Sequence, residues 1–227
     1  MKIYGLQKLT LLDFPGKTAC TVFTAGCQLR CPFCHNAVLA FGDAGEGMEE
    51  EEFFRFLQKR QGLLDGVCVS GGEPLLNPEL PAFLRKIRDM GFLVKLDTNG
   101  FSPDRLSAVL NLVDYVAMDI KSSPDGYAKA CGLATVDMQA VLKSIDMLRN
   151  GKTDYEFRTT VVKGIHNEQD IVDAAKLIEG ASRYFLQQYV DPGDQGGSGL
   201  AAFSADEMQR FAELAKPYVK NIGIRGV

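Results

Sequence analysis

The sequence has no block of basic residues, no apolar stretch long enough to cross a membrane, no leader-like segment and only two histidines. Lys plus Arg number 25 against 29 Asp plus Glu, a net charge of -4. Charge-driven nucleic-acid binding needs cations that displace counterions from phosphate, and nothing here supplies them; a polybasic membrane patch is missing too. The longest apolar runs, such as that around Val116–Met118, fall far short of the ~20 residues of a membrane-spanning helix. Lys2 and Lys8 interrupt the N-terminal stretch, so no secretory h-region forms and a cytoplasmic location is expected. Nucleic acid and membrane are thereby set aside as partners. In that compartment six cysteines do not read as a disulfide framework. Three of them lie within eight residues of one another.

What is present is globular material. Of 227 residues, 46% are hydrophobic and 24% charged, enough for a sizeable core. No linker, repeat or low-complexity segment divides the chain, which reads as one domain, 1–227, with residues 1–17 as an N-terminal extension. β-rich runs at Thr18–Thr24, Gly66–Ser70, Phe92–Asp97, Tyr115–Ile120, Asp154–Val161 and Arg183–Val190 alternate with amphipathic stretches near 49–60, 78–90, 103–111, 136–149, 168–179 and 204–216. The first helix carries Glu49–Glu52 at its start and Lys59 and Arg60 at its end, matching the helix dipole. Several strands are almost continuously apolar, as expected of parallel strands covered on both faces. The alternation predicts a parallel α/β fold with right-handed crossovers. A complete eight-unit barrel takes ~250 residues, so six units plus the extension fit this length better.

Cys27, Cys31 and Cys34 form C-x3-C-x2-C directly after the first strand. Three thiolates on one short loop suit three corners of an iron–sulfur cube. A four-iron cluster normally takes four cysteines, and no fourth lies nearby in sequence, which leaves one iron open to an outside ligand. The alternative is a structural zinc site, which wants four closed ligands; His35 is the candidate fourth, but following Cys34 directly it strains to reach the same ion. Cys20, Cys68 and Cys131 read as core cysteines.

The other motifs sit just past predicted strands, where barrel active sites assemble. Ser70-Gly71-Gly72-Glu73-Pro74 offers two glycines that let backbone approach a ligand closely and a carboxylate that accepts hydrogen bonds; a plain strand-to-helix turn is the bland alternative. Asp97-Thr98-Asn99-Gly100 ends the third strand, and Asp119 and Lys121 the fourth, where carboxylates also serve as helix caps. Arg158 in the fifth strand either faces a ligand or pairs within the barrel. Strand parity decides whether Gln187 or Gln188 faces the pocket. His166 reads as surface or loop chemistry rather than a base. Gly197-Ser198-Gly199-Leu200-Ala201-Ala202 matches a dinucleotide fingerprint but follows no strand directly and lies in no βαβ unit. With the glycine-rich run Gly193–Gly199 it reads as a loop over the barrel mouth.

The stretch LLDFPGKTACTVFTAGCQLRCPFCHN, with Phe33 just before the third cysteine, resembles radical S-adenosylmethionine (SAM) enzymes and, more narrowly, glycyl radical enzyme activating proteins. Among these it is most similar to the activating proteins of anaerobic ribonucleoside-triphosphate reductases, with pyruvate formate-lyase activating enzymes close by. The resemblance continues through SGGEP, LDTNG and AMDIK to about Val162. It implies a partial (β/α)6 TIM-type barrel with a [4Fe-4S] cluster on Cys27, Cys31 and Cys34 and SAM at the open iron. Phe33 and His35 would border the adenine, and Gly71, Gly72 and Glu73 the amino group of the methionine half. Asp119 and Lys121 would belong to the SAM site, and Arg158 would meet the SAM carboxylate. Asp97, Thr98, Asp119 and the Ala117 carbonyl would resemble a monovalent-cation site. The turn Asp13-Phe14-Pro15-Gly16-Lys17 resembles a substrate-peptide loop, although Pro-Gly is also an ordinary turn.

The activity so implied is reductive cleavage of SAM to a 5'-deoxyadenosyl radical, which takes a hydrogen atom from a glycine Cα of a partner glycyl radical enzyme. A low-potential donor such as flavodoxin or ferredoxin would supply the electron. The cofactor carries the chemistry, so no side chain is named as a catalytic acid or base. Many activating enzymes carry a cysteine-rich insert before the GGE motif; that interval here holds only Cys68, so no further cluster is expected. Two rivals stand beside this reading. One is a radical SAM enzyme acting on a small molecule, such as a 7-carboxy-7-deazaguanine synthase, whose Cys-Asp-Thr contrasts with Cys34-His35-Asn36. The other is a non-enzymatic iron–sulfur or zinc module.

Overall fold

The computed structural model describes residues 1–191 and 199–227. One eight-stranded sheet organises them, with the strands in chain order. β1 (Gly5–Thr10) runs antiparallel to β2 (Ala19–Thr24). From β2 onward every pairing is parallel, through β3 (Gly66–Gly71), β4 (Leu93–Thr98), β5 (Tyr115–Asp119), β6 (Asp154–Val161), β7 (Tyr184–Gln188) and β8 (Ile222–Arg225). The helices are α1 (Ala37–Phe41), α2 (Glu50–Gln58), α3 (Leu80–Asp89), α4 (Pro103–Val109), α5 (Tyr127–Cys131), α6 (Met138–Asn150), α7 (Glu168–Leu177) and α8 (Ala205–Ala215). The result is the expected α/β architecture, a partial barrel of parallel strands.

Side-chain alternation along the strands separates a helix-covered outer face from an inner one. In β4, Val94 and Leu96 are fully buried in the core, while Lys95 and Asp97 share the opposite face. In β6, Tyr155, Phe157 and Val161 belong to the core, while Glu156, Arg158 and Thr160 face the other way. Local signals fix the helices. α7 and α8 each open with a reciprocal capping box, Asn167 with Asp170 and Ser204 with Glu207, which satisfies otherwise orphaned N–H groups. α2 has Glu50, Glu51 and Glu52 in its first turn and buries Phe53 and Leu57.

Two strands escaped the sequence reading. The stretch 1–17, taken there as an extension, contains β1, and β8 follows the last helix. Both are sheet edges. β1 keeps only its last residue buried, and its Leu9 is 58% exposed, so it shows no core-facing alternation. β8 is four residues long and half-buried throughout. The glycine-rich run Gly193–Gly199 and the start of Gly197–Ala202 lie largely outside the described residues; of the fingerprint, Ala201 pairs antiparallel with Lys163.

The barrel has two unlike ends. At the N-terminal ends of the strands, the Asp13–Lys17 turn wedges Phe14 (4% exposed) against Ala19, Leu93 and Tyr115. Asp13 there accepts a 2.5 Å hydrogen bond from the Thr21 hydroxyl. The cysteine loop leaves the opposite end, after β2.

Candidate active site

At the C-terminal ends of the strands lies a cavity of about 290 Å³. Cys27, Cys31, Cys34, Phe33, His35, Gly71, Gly72, Glu73, Asp97, Asp119, Lys121 and Arg158 all border it. The parity question resolves in favour of both glutamines, because Gln187 and Gln188 both line the cavity. Gln188 spends its amide on the Phe203 carbonyl at 2.6 Å.

The cysteine loop is built as a cradle. Cys27 and Cys34 are half-buried and Cys31 is buried. The Cys27 sulfur accepts from the Leu29 amide at 3.4 Å and from the Asn99 side chain at 3.7 Å. Burial pushes the Cys27 and Cys34 thiols up, and the Lys121 ammonium pulls back on both. Cys31 titrates low, because the Cys131 thiol hydrogen-bonds to it and Lys121 is near. Iron ligation uses the thiolate, so Lys121 favours the binding form of all three. Among the described residues, no three His, Cys, Asp or Glu side chains are gathered tightly enough to hold a single metal ion. The thiols instead face a shared space from separate points on its wall. This donor set, three soft ligands beside an open volume, fits a cluster with one free corner.

The glycines of the SGGEP segment border the cavity and are also packed tightly against their own protein. A Cβ on Gly71 (φ +118°) would lie 2.3 Å from the Thr24 backbone, and one on Gly72 would lie 2.1 Å from the Gly26 carbonyl oxygen. The close approach these glycines permit is to the root of the cysteine loop. Glu73, 1% exposed, accepts from the Leu75 amide (3.1 Å), the Thr98 hydroxyl (2.8 Å) and the Asn99 amide (2.7 Å). Burial raises its carboxyl to about 7 against those three donors. Its oxygens thus tie the turn after β3 to the loop after β4, although the side chain still borders the cavity.

A chain of alternating charge crosses the inner face. Asp119 accepts from Arg158 and Lys121, at 3.0 and 2.9 Å. Burial alone would raise its carboxyl, but Lys121 and Arg158 more than offset this and hold it at about 2. Arg158 reaches on to Asp97 at 3.4 Å, and Asp97 also pairs with Lys95 and accepts from Ser70 at 3.0 Å. The monovalent-cation site inferred from resemblance meets a competitor at Asp97, whose carboxylate already takes Lys95, Cys68, Ser70 and Arg158, as many donors as a carboxylate has acceptor sites.

Several participants were not singled out in the sequence. Asn36 donates to the Gly71 carbonyl at 2.9 Å, pinning the loop behind Cys34. Thr160 lines the cavity two residues beyond Arg158, which strand parity would have given. Cys131, far off in sequence, packs against Cys31, and its carbonyl accepts from the Arg30 amide at 2.9 Å. His166 is no surface residue. It is 5% exposed, with Nδ1 accepting from the Val162 amide at 3.0 Å and Nε2 lying 2.8 Å from the Lys121 carbonyl. Its ring packs edge-on against Phe33. His35 is exposed and stands 6.0 Å from the Tyr189 ring.

The fold and this loop define a class, and the sequence family agrees with them. Residues 21–178 match the model of the radical SAM superfamily, and the chain belongs to it. A Methanocaldococcus jannaschii protein named as a glycyl-radical enzyme activating enzyme is 31% identical over 99% of this chain and 96% of its own length. The pyruvate formate-lyase-activating enzyme of Clostridium pasteurianum is 32% identical over 64% of this chain and 63% of its own. A solved domain of the pyruvate-formate lyase-activating enzyme from Bacteroides vulgatus superposes with a TM-score of 0.58 at 22% identity, covering 71% of this chain and 99% of that one. Within the superfamily, the chain is an enzyme of the kind that activates glycyl radical enzymes. Membership implies a [4Fe-4S] cluster and SAM. No helix among the described residues is long and apolar enough to cross a membrane.

Proposed function

We propose that this chain cleaves SAM reductively and takes a hydrogen atom from the Cα of one glycine in an anaerobic ribonucleoside-triphosphate reductase. The whole chain forms the one radical SAM domain, acts in the cytoplasm and receives its electron from a flavodoxin or ferredoxin. The observation that carries the reading is the convergence, on a single cavity, of three thiols and an ordered chain of opposite charges. Cys27, Cys31 and Cys34 would hold the cluster, which when bound would supply the electron for reductive cleavage of SAM.

The chain's own residues bind and orient. Arg158 and Lys121 present cationic donors to the carboxylate of the methionine half, with Asp119 fixing both. Gly71 and Gly72 offer backbone to its amino group, while Glu73 holds that backbone in place. Phe33 and His35 flank the adenine, and His166 supports Phe33 from behind. No side chain is asked to move a proton.

The test uses anaerobically reconstituted protein, reductant, SAM and a glycyl-radical-domain peptide carrying deuterium on its glycine Cα. Deuterium in the 5'-deoxyadenosine product supports glycine hydrogen abstraction, and a full-length reductase peptide should outperform a lyase peptide. Unlabelled product would move the search to another partner or to a small molecule. Zinc without inorganic sulfide in the purified protein would end the radical reading.

A further inference from the structure

Lys95 is a buried charged group that this reading leaves unused. It lies on β4 two residues before Asp97, on the same face, and is 1% exposed. Its ammonium pairs with one Asp97 oxygen and lies 3.7 Å from the Cys68 sulfur. The other Asp97 oxygen takes the Ser70 hydroxyl and the Arg158 guanidinium. Burying an ammonium is costly unless it is paired. Burial alone would lower its pKa, yet the Asp97 carboxylate more than offsets this and the ammonium stays charged.

A hard cation needs several oxygens with free lone pairs. Asp97 has none left, since Lys95, Cys68, Ser70 and Arg158 occupy its acceptor sites, and where that ion would neutralise it there is already a fixed positive charge. We infer that the Lys95 ammonium stands in for the monovalent cation, holding Asp97 and through it Arg158, so that ligand binding needs no sodium or potassium. Lys95 is a positioning residue. Arg158 spends donors on both Asp97 and Asp119, and of the five N–H groups of a guanidinium the remainder are left to face a ligand carboxylate. With Asp97 unneutralised, Arg158 would be drawn toward it and away from the cavity. The inference rests on the cavity being the SAM site.

The experiment measures SAM binding to cluster-loaded protein by equilibrium dialysis in sodium, potassium and N-methylglucamine chlorides of equal ionic strength. The wild type should bind equally well in all three, whereas loss of affinity in N-methylglucamine would overturn the inference. Lys95→Ala should bind about tenfold or more weakly in N-methylglucamine and recover in potassium or ammonium chloride, which a merely structural loss would not do. Unchanged binding by Lys95→Ala, or loss without cation rescue, would also overturn it. If Lys95→Ala does not fold, Lys95→Arg, which keeps the charge, should show the same cation independence as the wild type. Sodium NMR linewidths of the wild type give a readout free of SAM: no saturable broadening is expected, and saturable broadening sinks the inference. Failure to bind SAM in every salt by protein with full iron and sulfide tells instead against the functional reading, and the linewidths still decide the role of Lys95.

Discussion

Cys27 and Cys131 are both cysteines beside one loop, yet they should behave oppositely when replaced. Cys27→Ala removes a wall ligand and should abolish cluster assembly, read as the loss of bound iron and sulfide after anaerobic reconstitution. Cys131→Ala removes only a hydrogen bond to Cys31 and a buried thiol, so iron and sulfide should stay at wild-type levels with a modest loss of thermal stability. The cysteine triad was legible because its three members share a loop. Cys131 was not, since its neighbour Cys31 is brought to it by the turn of α5 against the loop, a contact no spacing rule encodes. The glycines teach a related lesson. Their presence in SGGEP was plain, but the sequence does not say what approaches them. Gly72→Ala should cost about 1–3 kcal/mol, as overpacking does, because the obstacle is the Gly26 carbonyl rather than a yielding side chain; chemical denaturation of the apo-protein measures this.

Elements were readable where burial imposes a pattern. β6 was placed at Asp154–Val161 with both ends correct, and β2 to β5 within a residue or two, because apolar central strands leave little choice of register. β1 and β8 failed for one reason: edge strands face water on one side and carry the charges and short lengths that blunt them. The loop between β6 and α7 failed differently. His166 sits in a stretch of polar residues and looks solvated, but the chain folds it inward to bond the Val162 amide and the Lys121 carbonyl. Burial lowers its pKa below the ordinary value of about 6.5. A neutral histidine so depressed contributes fully above that value, and its contribution fades as pH falls, since the unfolded chain then takes up the proton first. The wild type should therefore be more stable than His166→Gln at pH 8, with the gap in melting temperature narrowing toward pH 5. A constant gap would mean the ring acts by shape alone.

The whole molecule keeps its two barrel ends for different tasks. The cavity end was foreseeable, since the cysteine, SGGEP, LDTNG and AMDIK motifs each end or follow a strand. The other end was not, because the wedging of Phe14 under β2, β4 and β5 joins residues that share no local pattern. Phe14→Ala should cost about 3–5 kcal/mol, the usual loss for a buried phenylalanine, seen as a lowered denaturation midpoint. The lumen between the ends carries Lys95, Asp97, Glu156 and Arg225, with Glu156 gripped by Arg225 and by the Tyr115 hydroxyl. Hydrophobic patterning reported the outer face of each strand faithfully and left this inner polar column to be inferred from strand parity.

The strict agreement of strand order with chain order has a consequence for how the molecule is made. Each new strand leaves the ribosome with its only earlier neighbour already laid down, so the sheet can roll up like a scroll from its first edge. The cysteine loop is among the first parts to appear, while Arg158 and the two glutamines arrive with β6 and β7. For much of translation the thiols therefore stand at an unfinished rim, and the wall that later shelters them is raised afterwards.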